Sequence, residues 1–208
     1  MLTKDNIPKY PLERLWGKKS LLAVLRCLYN CPQELSGREI SRRVKLSPPQ
    51  THKALRELDS LGLVGKKITS PSYLFKLNTE HWIVTKVLSI LFENDKKWLD
   101  QLLTEVSRHL PKSIVSLILF GSAAQGQMQT GSDIDLLALV NKEADKKPAI
   151  NHLVEQGERL RGRYHYPIVP IVMTINEFRE RYAQNNPFVR DVVKTGSAVK
   201  GKMVTQIL

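Results

Sequence analysis

The chain has 208 residues, of which 42% are hydrophobic and 25% charged, and a formal net charge of +12. This composition excludes a chain that is disordered throughout, and the length accommodates one large or two small domains. The apolar runs are too short to span a bilayer, and the first residues lack the basic–apolar–small pattern of a secretory signal. We therefore expect a cytoplasmic protein without a membrane partner.

Positive charge is concentrated towards the N-terminus. Residues 1–80 hold 15 Lys and Arg against 7 Asp and Glu, a net charge of +8, so two-thirds of the excess lies in the first two-fifths of the chain. Such an excess favours polyanionic partners, with nucleic acid as the default. Because the same excess of charge would also favour solubility, it only supports the prediction of a nucleic-acid partner.

The chain has two cysteines, Cys27 and Cys31, spaced so that they could share a helix face. A zinc site would need further Cys or His ligands nearby, and the sequence does not arrange any there. We therefore expect buried or incidental thiols in a reducing cytoplasm.

Three helices are predicted first. Ser20–Leu28 is apolar at most positions, as expected of a buried helix. A capping box at Ser36–Glu39 opens a short helix, Gly37–Val44. Ser47 is a good N-cap for the helix that follows, and Gly62 ends that helix. The last two helices are therefore expected to form a helix–turn–helix.

Two strand-like segments follow, Leu63–Ile68 and Tyr73–Leu77, joined by the breaker residues Thr69–Ser72. This order of elements resembles the winged helix–turn–helix of bacterial and archaeal regulators, and Leu58–Val64 resembles that family's junction between recognition helix and wing. The resemblance covers about residues 18–78 and implies binding of duplex DNA and transcription regulation. Winged helices also mediate protein contacts, which stays an alternative.

In such a fold the second helix of the pair enters the major groove, with its N-terminal part facing base edges. Gln and Arg can pair there with adenine and guanine, while basic residues nearby contact phosphates. The predicted base contacts are Gln50, Thr51, His52, Lys53 and Arg56. The predicted phosphate contacts are Arg42, Arg43, Lys45, Lys66 and Lys67.

A linking helical region comes next. Apolar residues recur at helical spacing through Glu80–Leu110, with Asn94–Asp95 as the expected interruption and most aromatic rings expected in a core. The region would either join two domains or form a homodimer interface. The predicted division is a winged-helix domain at 1–79, the linking helix or helices at 80–111, and a second domain at 112–208.

The second domain contains the most specific motif, Gly121-Ser122 followed by Asp133-Ile134-Asp135. Residues i and i+2 of a strand point to the same face, so the two aspartates can converge on one metal ion while Ile134 points into the core. Paired carboxylates suit Mg²⁺, which also takes oxygens from a substrate phosphate. Gly121 and Ser122 offer backbone N–H groups and a hydroxyl to a phosphate chain. The motif therefore predicts a metal–triphosphate site.

The same motif resembles the signature of the nucleotidyltransferase superfamily that includes DNA polymerase β, and most closely its minimal nucleotidyltransferases. The resemblance covers about residues 112–201, with a helix near Pro148–Arg161 and a strand at Pro167–Thr174. It implies a small mixed β-sheet flanked by helices, and hence an α+β protein overall. It also implies Mg²⁺ and a nucleoside triphosphate, with ATP expected. It assigns metal binding and catalysis to Asp133 and Asp135, and phosphate binding to Gly121 and Ser122.

Two departures from the family pattern concern catalysis. Family members usually carry a third carboxylate on the later strand, but Pro167–Thr174 contains no acid. Glu158 and Glu177 lie outside that strand and neither obviously substitutes. Many minimal members also place arginines after Gly-Ser, where this chain has Ala123 and Gln125. Nucleotide–metal binding is therefore expected, but turnover does not follow from it.

The favoured function is a DNA-binding protein, plausibly a transcriptional regulator, whose second domain binds Mg-NTP. One alternative is an active transferase that modifies a hydroxyl of a protein or small molecule, as minimal nucleotidyltransferases of toxin–antitoxin pairs suggest. Others are a degenerate nucleotide sensor and a purely structural dimerisation domain. Weak or absent transfer is expected because Val169 or Pro170 stands where family members place the third acid, and a positioned base contributes roughly 10²–10⁴-fold.

Overall fold

The computed structural model describes residues 17–69, 72–129 and 131–208. The chain forms two compact units, Met1–Lys97 and Trp98–Leu208. The boundary falls inside the predicted linking region, so that region contributes to both units. Within the described residues, no helix combines the length and the apolar character needed to cross a membrane.

The first unit has the element order of a winged helix–turn–helix, as predicted. Its helices are α1 (Lys19–Tyr29), α2 (Gly37–Val44) and α3 (Pro48–Ser60). Its strands are β1 (Leu35–Ser36), β2 (Val64–Thr69) and β3 (Ser72–Leu77), which form an antiparallel sheet in the order β1-β3-β2. The tip of the predicted turn, residues 70 and 71, lies outside the described residues.

Local hydrogen bonds explain where α2 and α3 begin and end. The backbone N–H of Glu39 donates to Ser36 Oγ at 3.3 Å and the Glu39 carboxylate accepts from the Ser36 N–H at 3.1 Å, which confirms the predicted capping box. A second capping box joins Ser47 and Gln50, of which the sequence predicted only the serine half. Gly62 follows α3 with a φ of +70°, the left-handed conformation typical of a helix stop.

One core joins the helices and the hairpin of the first unit. Its largest buried side chains include Leu21, Leu25, Leu28, Ile40, Leu55, Leu58, Phe75, Leu88 and Phe92. These residues come from all three helices of the unit, from β3 and from the helical region that follows the hairpin. The core thereby fixes the position of α3 relative to the hairpin.

The linking region differs from its prediction in two respects. A π-helical turn at Val84–Leu88 leads into α4 (Ser89–Ser107), which continues without a break through Asn94–Asp95. The predicted interruption was therefore placed too late, since the irregular turn comes before α4. The side chain of Trp82 is 64% exposed, so the expectation of a core ring is wrong there.

The second unit is built on a four-stranded mixed sheet. Its strands are β4 (Ile114–Phe120), β5 (Ile134–Val140), β6 (Ile168–Thr174) and β7 (Ser197–Gly201), in the order β6-β5-β4-β7. Its helices are α5 (Gly121–Ala124), α6 (Lys146–Tyr164), α7 (Ile175–Ala183), α8 (Pro187–Thr195) and α9 (Val204–Ile207). Strands β5 and β6 are parallel, and the other pairs are antiparallel.

Helices cover both faces of this sheet, as predicted. Ile134 and Leu136 of β5 join a core with side chains of α4 and α6. Leu137 and Leu139 join a second core with side chains of α7, α8 and α9. Because side chains alternate along a strand, Asp135 belongs to the second face. That face therefore carries the carboxylates of the predicted site.

Candidate nucleotide and nucleic-acid sites

The two aspartates of the predicted metal site lie at the start of β5. Asp133 is exposed and precedes the strand, whereas Asp135 is half-buried inside it. Ile134 between them is fully buried, as predicted. Its backbone N–H donates to the carbonyl of Pro167 at 2.8 Å, which anchors this end of β5 to the segment before β6. The extended backbone directs both carboxylates to the same face of the sheet.

Gly121 lies directly against one of these carboxylates. It follows β4 with a φ of +69°, a conformation that other residues adopt at a cost. A Cβ atom at this position would collide with Oδ2 of Asp135, so a side chain here would force that carboxylate to move. The positive φ and the close approach both favour glycine, and the turn into α5 lies next to the Asp135 carboxylate. The parts of the motif that are predicted to bind phosphate and metal are therefore adjacent.

The electrostatics of the aspartate pair favour a bound cation. Burial raises the pKa of Asp135 above its ordinary value, and the neighbouring negative charge of Asp133 raises the pKa further. Both causes make the ionised form of Asp135 costly in the protein alone. A divalent cation between the carboxylates would offset this cost. Two carboxylates also leave coordination positions for phosphate oxygens, as Mg²⁺ prefers, so the residues fit this ion.

The third position beside the aspartates is occupied by Val169. Strand pairing aligns Val169 with Asp135, and residues aligned in parallel strands point to the same face. The Val169 side chain is 39% exposed, so it borders the site rather than the core. Among the described residues, no group of three or more His, Cys, Asp or Glu side chains could hold a metal ion. The site therefore consists of two carboxylates.

The two glutamates nearest to β6 have other partners. Glu177 caps α7 by accepting from the Thr174 N–H at 2.8 Å, and it pairs with Lys146 at 3.0 Å. These hydrogen bonds, first that of Thr174 and then that of Lys146, lower the pKa of Glu177. Glu158 is exposed and lies 4.0 Å from Arg161. Neither glutamate takes the third position.

Helix α8 borders the site, which the sequence did not indicate. The ring of Phe188 on α8 contacts the ring of Phe120 edge-on, with a centroid distance of 5.3 Å. Phe120 is the residue immediately before Gly121 and is aligned with Asp135 in the sheet. No spacing in the sequence links Phe188 to the motif, because the contact depends on tertiary packing.

A cleft of about 670 Å³ opens beside the loop that precedes Asp133. Met128, Gln129 and Gly131 line one side, and His165 and Tyr166 line the other. The Tyr166 ring stacks on Trp98 with a centroid distance of 4.7 Å, which holds its position. The cleft provides aromatic, thioether and hydrogen-bonding groups beside the loop that leads to Asp133.

Most residues predicted to contact DNA are exposed on the first unit. The side chains of Lys53 and Arg56 project from α3, and Arg56 shares a cleft of about 310 Å³ with Lys66 of the wing. Arg42 and Lys45 are exposed at the end of α2. Arg43 is also exposed, and its guanidinium donates to the sulfur of Cys31.

Thr51 is a correction to the predicted DNA contacts. Its side chain is fully buried, and its hydroxyl donates to the carbonyl of Ser47 at 3.1 Å. The residue sits on the inner side of α3 next to the core residues Ala54 and Leu55. It therefore cannot contact a base edge, and its prediction is wrong. Helical periodicity places residue 51 inward, since residues 54, 55 and 58 face the core.

Three further predicted contacts are partly engaged within the protein. The Gln50 side chain accepts from the Ser47 N–H at 3.2 Å as part of the second capping box. The His52 ring lies against Gly37, where an added Cβ would be 3.1 Å from Cε1. Lys67 pairs with Glu34 at 3.4 Å. These contacts leave the side chains exposed but orient them before any ligand binds.

The wing carries one further aromatic residue. The Nζ atom of Lys66 lies 3.8 Å from the centroid of the Tyr73 ring, and both residues line the cleft with Arg56. Ile68 and Tyr73 are aligned across the hairpin and are 78% and 46% exposed. Tyr73 was predicted only as the start of a strand. Its exposure near the basic side chains of Lys66 and Arg56 makes it a candidate contact residue.

Known families match both parts of the chain. The model of the IclR helix-turn-helix domain matches residues 21–67, and that of the nucleotidyltransferase domain matches residues 99–169. The second match begins before the predicted boundary at 112 because the end of α4 packs on the sheet, with Leu102 and Val106 in its core. No curated protein matches the sequence.

Solved structures resemble parts of the chain. A mutant of ZitR from Lactococcus lactis in apo form is 22% identical over 41% of this chain and 65% of its own, with a TM-score of 0.35. MepR from S. aureus in complex with DNA is 21% identical over 43% of this chain and 69% of its own, with a TM-score of 0.35. A toxin–antitoxin structure with AMP-PNP is 16% identical over 52% of this chain and 77% of its own, with a TM-score of 0.34.

These similarities cover only part of each matched chain. The chain spans 57–65% of the ZitR chains that it resembles. The two family matches are independent of these partial similarities and agree with the two units of the fold. The chain contains an IclR-type helix-turn-helix domain followed by a nucleotidyltransferase domain.

Proposed function

We propose that the protein is a DNA-binding regulator whose nucleotidyltransferase domain binds a nucleoside triphosphate together with Mg²⁺. The observation that supports the nucleotide site is the close approach of Gly121 to the Asp135 carboxylate, which a side chain at position 121 would displace. A phosphate chain held by the turn would therefore lie beside the metal ligands. ATP is the nucleotide to test first.

Each residue of the motif has a distinct role in this proposal. Asp133 and Asp135 hold the cation through their carboxylates, while the N–H of Gly121 and the hydroxyl of Ser122 bind phosphate oxygens. Bound Mg²⁺ supplies charge neutralisation for the triphosphate. The half-buried position of Asp135 orients its carboxylate, because the strand pairs with a neighbour on each side.

The proposal favours nucleotide binding over turnover. A transfer reaction requires removal of a proton from the attacking hydroxyl, and the position aligned with Asp135 holds Val169, which cannot accept one. The protein would then respond to the nucleotide rather than consume it rapidly. This places the nucleotidyltransferase domain in the role of a sensor attached to a DNA-binding domain.

The DNA-binding part of the proposal is supported by charge and exposure. The first 80 residues carry a net charge of +8, and the exposed side chains of Arg42, Lys53, Arg56 and Lys66 lie on α2, α3 and β2. Fluorescence anisotropy with a labelled random-sequence duplex is the direct test on the full chain. We expect binding that weakens steeply with salt, since released counterions drive association. Absence of binding at low salt would contradict the regulator function.

Calorimetric titration with ATP tests the nucleotide site. Wild-type protein should bind ATP in Mg²⁺ and much more weakly in EDTA. The double variant Asp133→Asn, Asp135→Asn keeps the side-chain shape but removes both charges, and should lose affinity by about 100-fold or more, beyond the roughly 10–100-fold typical of outer-shell changes. Asp100→Asn, an exposed carboxyl on α4, is the matched control. Equal affinity of the double variant and the control would exclude this metal site.

A further inference from the structure

Two thiols and a guanidinium meet in one cleft of the first unit. Cys27 and Cys31 line a cleft of about 370 Å³, and Arg43 reaches it from the end of α2. Both cysteines are free thiols and only partly buried, where buried or incidental thiols were expected. Two nucleophilic side chains in one accessible cleft can react with the same molecule and then with each other.

The environments of the two sulfurs are unequal. The Arg43 guanidinium donates to Cys31 Sγ at 3.2 Å, a hydrogen bond from a charged donor. Burial raises the pKa of Cys27, with Arg43 opposing this shift only in part. The guanidinium contacts Cys31 directly while burial disfavours the charged form of Cys27, so Cys31 is assigned as the attacking sulfur.

We propose that Cys27 and Cys31 form a dithiol modification site that is oxidised by hydroperoxides, with Cys31 as the attacking and Cys27 as the resolving residue. In the first step the Cys31 sulfur attacks the O–O bond, an S–O bond forms, and the leaving oxygen takes a proton to become water or an alcohol. In the second step the Cys27 sulfur attacks the Cys31 sulfur, and the Cys27 proton leaves with the hydroxyl as water. Two thiols lose two electrons, which the peroxide accepts.

The local backbone permits the disulfide but not without movement. Helical residues four apart have Cβ atoms roughly 5–6 Å apart, whereas a disulfide requires about 3.5–4.5 Å. Helix α1 ends at Tyr29, so Cys31 lies two residues beyond it and is tied back by an N–H bond of 3.3 Å to Leu28. Closure would therefore require rotation around Asn30 and loss of the hydrogen bond from the Cys31 N–H to Leu28.

Closure of the disulfide would change the environment of Arg43. The guanidinium now donates to the same sulfur that would move toward Cys27. Arg43 lies on α2 and is one of the predicted phosphate contacts, so oxidation connects the cleft to the DNA-binding surface. The effect on DNA rests on the proposed function, but the thiol chemistry does not. The decisive experiment therefore contains no DNA.

The test treats the full chain with hydrogen peroxide, blocks remaining thiols with an alkylating agent, and measures intact and peptide masses. Wild type should lose two hydrogens and both alkylation sites while remaining a single chain on a non-reducing gel. Cys27→Ser should stop at a sulfenic acid on Cys31 that dimedone traps. In Cys31→Ser only Cys27 remains. Its oxidation by peroxide should be roughly tenfold slower than that of Cys31 in wild type, because Cys27 is the weaker nucleophile.

Arginine variants separate this chemistry from simple exposure. Arg43→Gln should slow oxidation of Cys31 by roughly tenfold, because the charged guanidinium no longer donates to the attacking sulfur. Arg42→Gln makes the same charge change at the next residue and should react like wild type. Equal rates for the two variants would overturn the proposal, as would first oxidation at Cys27. The proposal would also be overturned if peroxide-treated wild type formed disulfides only between chains, or formed no disulfide.

Discussion

The two units differ in how firmly backbone geometry fixes their functional side chains. In the nucleotidyltransferase domain, strand register places Asp135 beside Val169, and a positive φ places Gly121 against the same carboxylate. In the helix-turn-helix domain, the predicted base contacts lie on one helix, α3, where Thr51 is buried and Gln50 caps the helix. Spacing that matches a backbone period predicts the orientation of a side chain. A run of consecutive polar residues on a helix does not.

The largest expected effect comes from changing the position aligned with Asp135. Val169→Asp places a carboxylate on the face that carries Asp133 and Asp135, where it can accept the proton of an attacking hydroxyl. We expect wild-type turnover well below the ordinary enzyme range of about 1 s⁻¹ or faster, and an increase of up to roughly 10²–10⁴-fold in the variant. The measurement is pyrophosphate release from Mg-ATP, with and without added hydroxyl acceptors.

An uncharged control separates base catalysis from a change of shape. Val169→Asn has a similar size to the aspartate variant but accepts no proton at neutral pH, so it should remain as slow as wild type. An equal gain of turnover in both variants would mean that the changed shape of the site, rather than the new carboxylate, causes the effect. Wild-type turnover at about 1 s⁻¹ or faster would show that another group supplies the base, with Glu155 and Glu158 the first to examine.

The next effect concerns the basic surface around α2. Arg42→Glu with Lys45→Glu reverses two exposed charges and should weaken DNA binding by roughly 10- to 100-fold on every sequence, with the salt slope reduced by about 2. Lys96→Glu with Lys97→Glu makes the same change in net charge on α4. Equal losses in the two double variants would mean that net charge, rather than a located surface, drives binding. Anisotropy at several salt concentrations makes the comparison.

A smaller effect distinguishes the buried from the exposed residue of α3. Thr51→Val keeps the shape but removes the hydrogen bond to Ser47, so it should lower the free energy of unfolding by about 1 kcal/mol without changing DNA sequence preference. Lys53→Ala should do the opposite, with stability within about 0.5 kcal/mol of wild type and weaker binding. Urea unfolding and anisotropy with two duplex sequences measure both properties. A changed sequence preference in Thr51→Val alone would contradict the buried position.

Much of the fold was predictable because local signals agreed with one another. The capping box at Ser36, the helix stop at Gly62 and the buried position of Ile134 between the two aspartates each follow from short-range patterns. The Gly-Ser and Asp-x-Asp motif predicted a site because a strand and a tight turn bring its parts together. The division of α4 between the units and the packing of Phe188 against Phe120 were not predictable. Both depend on tertiary contacts that leave no periodic signal in the sequence.

The smallest effect is a pH dependence that arises from Asp135. Its pKa is raised by burial and then by Asp133, so the folded protein binds this proton more tightly than the unfolded chain does. The stabilising contribution is complete below the unfolded pKa and is lost as pH rises through the folded pKa. Without Mg²⁺ and nucleotide, Asp135→Asn should therefore gain stability relative to wild type across that window, and the gain should level off above it.

Thermal unfolding in EDTA from about pH 3 to pH 7, a range that brackets ordinary carboxyl titration, measures this difference. Asp100→Asn removes an exposed carboxyl and should show no such gain. Addition of Mg²⁺ and ATP at neutral pH should reverse the order, because wild type alone keeps both metal ligands and ligand binding stabilises the folded state. If Asp135→Asn were instead less stable than wild type in EDTA at neutral pH, the ionised carboxylate would have a stabilising partner within the protein. The aspartate pair would then be part of the folded framework rather than a site that a cation completes.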